Sequence, residues 1–204
     1  MIDRRMMLKY SGAAALGALA LTAVSSGTDL AFADTSAPPQ PLLPDPATTV
    51  VPSPPFPKGL TNEERAHLVT FDELDFDVFT HAEWDRLGES HSKSIRVHWP
   101  DGHFTDGIDK HIADLAALVA WAPDSRILEH PIRVAKGNLT AVTGVMRGTF
   151  TRPMADGKGG FIAPTGKAYA INMATVGSWN RSGVMDEEFL FWDNLTFYQQ
   201  IGLA

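Results

Sequence analysis

The chain has 204 residues, a net charge of −7 and an apolar fraction of 44%, enough for one good core and at most two domains. Its acidic balance argues against nucleic acid and anionic membrane surfaces as partners. With no cysteine, disulfides, thiolate metal sites and lipid attachment through Cys are excluded.

At the N-terminus, Asp3-Arg4-Arg5-Met6-Met7-Leu8-Lys9 precedes a Gly/Ala-rich apolar run from Ala13 to Val24, then Ala31-Phe32-Ala33. Paired arginines, a run short of the ~20 residues of a stable span, and small residues two apart predict a twin-arginine-type export signal. It covers residues 1–33 and is expected to be cleaved after Ala33 rather than kept as an anchor, releasing a periplasmic or secreted protein without a stable membrane span. Cleavage removes Arg4, Arg5 and Lys9 against Asp3 and Asp29, taking the net charge from −7 to about −8. Residues 34–59, with Ala37-Pro38-Pro39, Pro54-Pro55 and Pro57, read as an extended, disordered spacer, since proline at this density leaves too few amide donors for regular structure.

The folded domain is expected over 60–204. Thr61-Asn62-Glu63-Glu64 has capping-box spacing and opens a helical pattern at Leu68, Phe71, Leu74 or Asp75, and Val78. Thr80-His81-Ala82-Glu83 repeats the box and predicts a second short helix with Trp84 and Leu87 on one side. Ser94 to Trp99 reads as a strand stopped by Pro100-Asp101-Gly102, and a third helix runs from about Ile108 to Trp121, ending before Pro123.

Strands follow. Arg126 to Arg133 is one; Asn138 to Arg152 is a long one presenting Thr140, Val142, Gly144, Met146, Gly148 and Phe150 on one face; Lys167 to Trp179 alternates through Tyr169, Ile171, Met173 and Thr175. Gly144 and Gly148 suggest bulges or bends that curl the sheet. The last strand, Glu187-Glu188-Phe189-Leu190-Phe191-Trp192, reads as buried on both faces and delivers Asp193 at its end. Alternation puts Glu187, Phe189, Phe191 and Asp193 together. If that face lines a pocket, burial raises the Asp193 pKa into a range useful for proton transfer; the plainer alternative is that Asp193 caps the turn that follows. The fold class is α+β: a curled antiparallel sheet with three N-terminal helices enclosing a pocket.

Ala122-Pro123-Asp124, Gly148-Thr149-Phe150, Pro164-Thr165-Gly166-Lys167, and Glu187-Glu188 through Asp193 to Gln200-Ile201-Gly202 occur in this order. In this they resemble the SnoaL-like polyketide cyclase (ester cyclase) family, of cone-shaped nuclear transport factor 2-like fold, over about Leu60 to Leu203. The resemblance implies a cofactor-free pocket in which an acidic residue, here Asp193, transfers protons in an aldol-type ring closure. Phe150 stands where relatives often have His, a departure that removes a polar group.

For an enolate donor the candidate is His98, and Trp84, Trp99, Phe150, Met173 and Phe191 are the expected pocket walls. A metal site built from His91, His98, His103, His111 and Asp106 is the rival chemistry, but no His-Glu-x-x-His or His-x-His spacing occurs, so no metal or other cofactor is expected. No Gly-x-Ser-x-Gly elbow is present. The expectation is cyclisation, isomerisation or dehydration of a small apolar carbonyl compound. The alternatives are a non-catalytic carrier of an apolar ligand in the cell envelope, or an assembly module; homodimers are expected, since this fold commonly pairs through its sheet.

Overall fold

The computed structural model describes residues 53–204; the expected export signal, and the expected linker as far as residue 52, lie outside the described residues. The capping box forms as its spacing predicts. Thr61 Oγ1 accepts from the Glu64 amide at 3.1 Å, while the Thr61 amide donates to Glu64 Oε2 at 2.8 Å, starting α1 (Asn62–Glu73). The other Glu64 oxygen accepts from the Gly137 amide at 2.8 Å, tying the helix start to a distant turn.

Helix α1 widens into a π-helical segment over Leu74–Phe79, a geometry often found at functional sites. The expected second capping box does not form. Thr80 Oγ1 accepts from the Ile127 amide at 3.0 Å, and the 3₁₀ helix Trp84–Glu89 begins after Glu83 with no side-chain cap. Next come β1 (His91–His98), β2 (Phe104–Asp106) and α2 (Ile108–Ala120), whose buried stripe is His111, Leu115 and Leu118. The single strand expected over Arg126–Arg133 is two short ones, β3 (Arg126–Ile127) and β4 (Arg133–Lys136), separated at His130-Pro131.

Strands β5 (Leu139–Thr149), β8 (Ala168–Trp179) and β9 (Met185–Trp192) form the centre, with the small pair β6 (Met154–Ala155) and β7 (Phe161–Ile162) apart and α3 (Asn194–Ile201) closing the chain. The main sheet runs β2-β1-β9-β8-β5-β3, with β4 also on β5. It is antiparallel except that β1 runs parallel to β9, so the helical half of the chain contributes the far edge of the sheet.

The predicted inward faces of β5 and β8 are the buried ones. Their pairing is unbroken from Leu139↔Ser178 to Thr149↔Ala168, so Gly144 and Gly148 mark close approach and not bulges. A Cβ at Gly148 would lie 2.5 Å from the Tyr169 hydroxyl, and one at Gly144 would lie 3.2 Å from Ile127 Cγ2. Within the Pro-rich stretch, Phe56 packs against the core and lies beneath the Arg133 guanidinium, 4.2 Å from ring centroid to Cζ.

Candidate active-site cavity

Between the inner face of the sheet, α2 and the π-helical segment lies a cavity of about 40 Å³, space for two or three waters. Most of its wall is apolar: Leu74, Phe79, Leu115, Ile127, Met146 and Leu190 contribute, with the half-exposed Trp99 and Trp192. Set into this wall are Asp75, His91, His111, Thr175 and Glu188.

Asp75 comes from the π-helical segment and is buried. Behind it stands the fully buried His130, whose Nε2 is 2.8 Å from Asp75 Oδ2 and whose Nδ1 is 2.7 Å from Asp72 Oδ1. Both ring nitrogens face carboxylates, and only imidazolium donates from both. Arg133 donates to Asp72 and to the Pro54 carbonyl. The chain Arg133–Asp72–His130–Asp75 thus alternates in charge from the domain's edge to the cavity. Burial raises the Asp75 pKa, with the His130 hydrogen bond opposing it. Burial works to lower His130, but hydrogen bonds to Asp72 and Asp75 outweigh it and raise it to about 9. The pair therefore keeps a proton bound through the neutral range beside an apolar cavity, which suits a group that accepts and returns protons.

The second polar cluster joins three elements: His91 at the start of β1, His111 in the first turns of α2, and Glu188 in β9. All three are buried, and one donor atom from each lies within 4.8 Å of the others. Burial, then the neighbouring His91, holds the His111 pKa well below the ordinary histidine range, so this ring is neutral.

Of the residues expected from sequence, Trp99 and Met173 line the cavity. Asp193 does not. It is exposed, and its carboxylate is the N-cap of α3, accepting from the Leu195 amide at 2.9 Å and from Thr196 Oγ1 at 2.7 Å. Those hydrogen bonds, the Thr196 hydroxyl first, lower its pKa instead of raising it. The expectation failed on strand parity: the inward residues of β9 are Glu188, Leu190 and Trp192, and Phe191 is 53% exposed.

His98, one residue from the inward Val97, sits outside the cavity, 2.8 Å from Glu187 Oε1 and stacked on Phe189 at 4.2 Å. Phe150 is fully buried, edge-on to Trp121 at 5.3 Å, in an aromatic cluster with Tyr169 and Phe197 under α3. Replacing an expected His by Phe there repacks this cluster and leaves the cavity polarity untouched. Trp84 packs against Phe79 at 6.2 Å, outside the cavity lining. Asp75 was missed, and His111 was named, with His91, only for the rival metal site, although each occupies the apolar stripe of its helix, which is the signal that marks them.

A curled α+β sheet roofed by helices around an acid-bearing cavity is the nuclear transport factor 2-like arrangement, and an NTF2-like protein from Burkholderia pseudomallei aligns at a TM-score of 0.54 with 15% identity, over 67% of this chain and 97% of that one. Residues 72–201 match the SnoaL-like polyketide cyclase family, to which the chain belongs. Similar solved structures include a proposed SnoaL-like polyketide cyclase from Jannaschia sp. CCS1, with 19% identity, TM-score 0.63, covering 72% of this chain and 99% of that one. IdmH, a proposed polyketide cyclase from Streptomyces antibioticus, aligns with 22% identity and TM-score 0.57, covering 67% and 98%. None of the curated proteins compared by sequence matches significantly.

Proposed function

We propose that the protein is an exported acid/base catalyst of cyclase type, with Asp75 transferring protons to and from a small, apolar, carbonyl-containing compound. The observation that carries this reading is the placement of Asp75 in the cavity wall, its carboxyl backed by His130 at 2.8 Å. The Asp75 carboxylate removes a proton from the carbon beside the carbonyl, and the neutral acid returns it to the product. His130 holds the carboxyl in place throughout, and Asp72 with Arg133 holds His130. On the same wall, Thr175 offers a hydroxyl to the carbonyl oxygen. Apolar walls suit a hydrophobic substrate, and a volume of about 40 Å³ requires that Trp99 or Trp192 swing outward to admit one.

The test is turnover of hydrophobic carbonyl compounds extracted from the producing cells, followed by mass spectrometry, with Asp75→Asn and Asp193→Asn beside the wild type. The expected result is conversion by the wild type and by Asp193→Asn, and none by Asp75→Asn. Thermal stabilisation of the wild type by a compound that stays chemically unchanged would instead identify a carrier.

A further inference from the structure

We propose that His91, His111 and Glu188 form a three-ligand site for a divalent transition-metal ion of the zinc type, with its fourth coordination position open to the cavity.

The geometry is that of a coordination shell more than of a hydrogen-bonded cluster. His91 Nε2 lies 3.4 Å and His111 Nε2 3.7 Å from the same carboxylate oxygen, Glu188 Oε2. Good hydrogen bonds to oxygen fall at about 2.7–3.2 Å. Tetrahedral ligands held about 2.0–2.2 Å from a zinc ion are separated from one another by about 3.3–3.6 Å, close to the two separations from the carboxylate, and the two imidazole nitrogens lie within 4.8 Å of each other.

The tautomer of His91 points the same way. Ser90 Oγ donates to the Leu87 carbonyl at 3.2 Å, so its contact of 2.8 Å with His91 Nδ1 is one in which the imidazole N–H donates. That contact fixes the ring with Nε2, the end available to a metal ion, directed at the Glu188 carboxylate. On the other side, His111 Nδ1 is buried without a hydrogen-bond partner, and the ring turns Nε2 toward the same carboxylate.

Charge completes the case. Glu188 is 4% exposed, and among the described residues its ion-pair partners are these two histidines. A buried carboxylate needs compensation, which a divalent ion supplies. Two imidazoles and one carboxylate, without thiolate, are a donor set that zinc accepts, and three protein ligands facing a cavity are the arrangement of reactive zinc sites rather than closed structural ones. Ser90 behind His91 is the outer-shell hydrogen bond such ligands normally have. Binding requires no turnover, so this inference stands or falls separately from the role of Asp75.

The experiment strips the purified chain with a chelator, titrates it with Zn²⁺ by calorimetry, and titrates it with Co²⁺ by visible absorption. One ion per chain is expected, with the intense Co²⁺ bands of a tetrahedral site. His91→Gln and Glu188→Gln should each weaken binding by at least about tenfold, the lower end of what even outer-shell changes produce. The outer-face variant His98→Ala should bind as the wild type does. Lack of stoichiometric binding by wild-type protein that retains its cooperative melting would overturn the proposal. So would unchanged affinity in a folded Glu188→Gln, or transfer of the loss to His98→Ala.

Discussion

Glu187 and Glu188 are neighbours in sequence and opposites in environment. Glu187 is half-exposed on the outer face of β9, paired with His98, while Glu188 is buried in the cavity with His91 and His111. The contrast runs along the strand: Phe189, Phe191 and the exposed Asp193 stand outside, and Leu190 and Trp192 inside. Because side chains alternate with period two, one step of parity exchanges a solvated set of groups for a buried one. On the outer face a carboxylate serves local geometry, as Asp193 does at the start of α3. On the inner face it is desolvated and becomes chemically responsive.

The sharpest way to break this comparison is Asp75→Asn. Turnover of a substrate is expected to fall by about 10²–10⁴-fold, whereas Asp193→Asn, on the exposed side, should keep its rate. Equal losses in both would undo the assignment of chemistry to the inner wall.

The two phenylalanines expected at the pocket give the next contrast. Phe150→Ala empties a fully buried site and should cost about 3–5 kcal/mol in denaturant unfolding. Phe191→Ala, on the outer face, should stay within about 0.5 kcal/mol.

A pH series tests the buried charge chain. The folded-state pKa of His130 is raised from 6.5 to about 9, so its contribution to stability is complete below the unfolded value and disappears as pH rises through about 9. Asp75, also raised in the folded state, acts in the same sense from about 3.8 upward. The melting temperature is therefore expected to fall between pH 7 and 10 in the wild type. In His130→Asn the part of that slope centred near pH 9 should be lost, at a lower starting stability; a fall through pH 9 as steep as in the wild type would place the titration elsewhere.

Smaller effects belong to the outer face. Asp193→Ala removes the α3 cap and should cost about 1 kcal/mol, without altering any pH dependence of turnover. Glu187→Gln loosens a half-exposed ion pair with His98 and should cost less than about 1 kcal/mol.

Local pattern carried much of the fold. The capping box at Thr61 and Glu64 and the inward faces of β5 and β8 all follow from interactions between residues a few positions apart, which a sequence displays directly. The helix α3 after Asp193 and the short strands β3 and β4 were less visible, because their limits are set by contacts with other parts of the chain. Asp75 on the apolar stripe of its helix and His111 four residues before Leu115 were the legible traces of the site, each a polar residue where packing alone would favour an apolar one.

By itself, the sequence determined the α+β class, the resemblance to its family, and the periodicity that gives each strand two unlike faces. Which face of β9 meets the cavity was decided only in three dimensions, when β9 paired with β1 in parallel and with β8 in antiparallel register. The partners of the reactive groups were decided there too. His130 meets Asp75 across 55 positions and His91 meets Glu188 across 97, and no local pattern encodes contacts at that separation. They arise because burial of one continuous core brings the few polar groups within it to the same cavity, where they must satisfy one another.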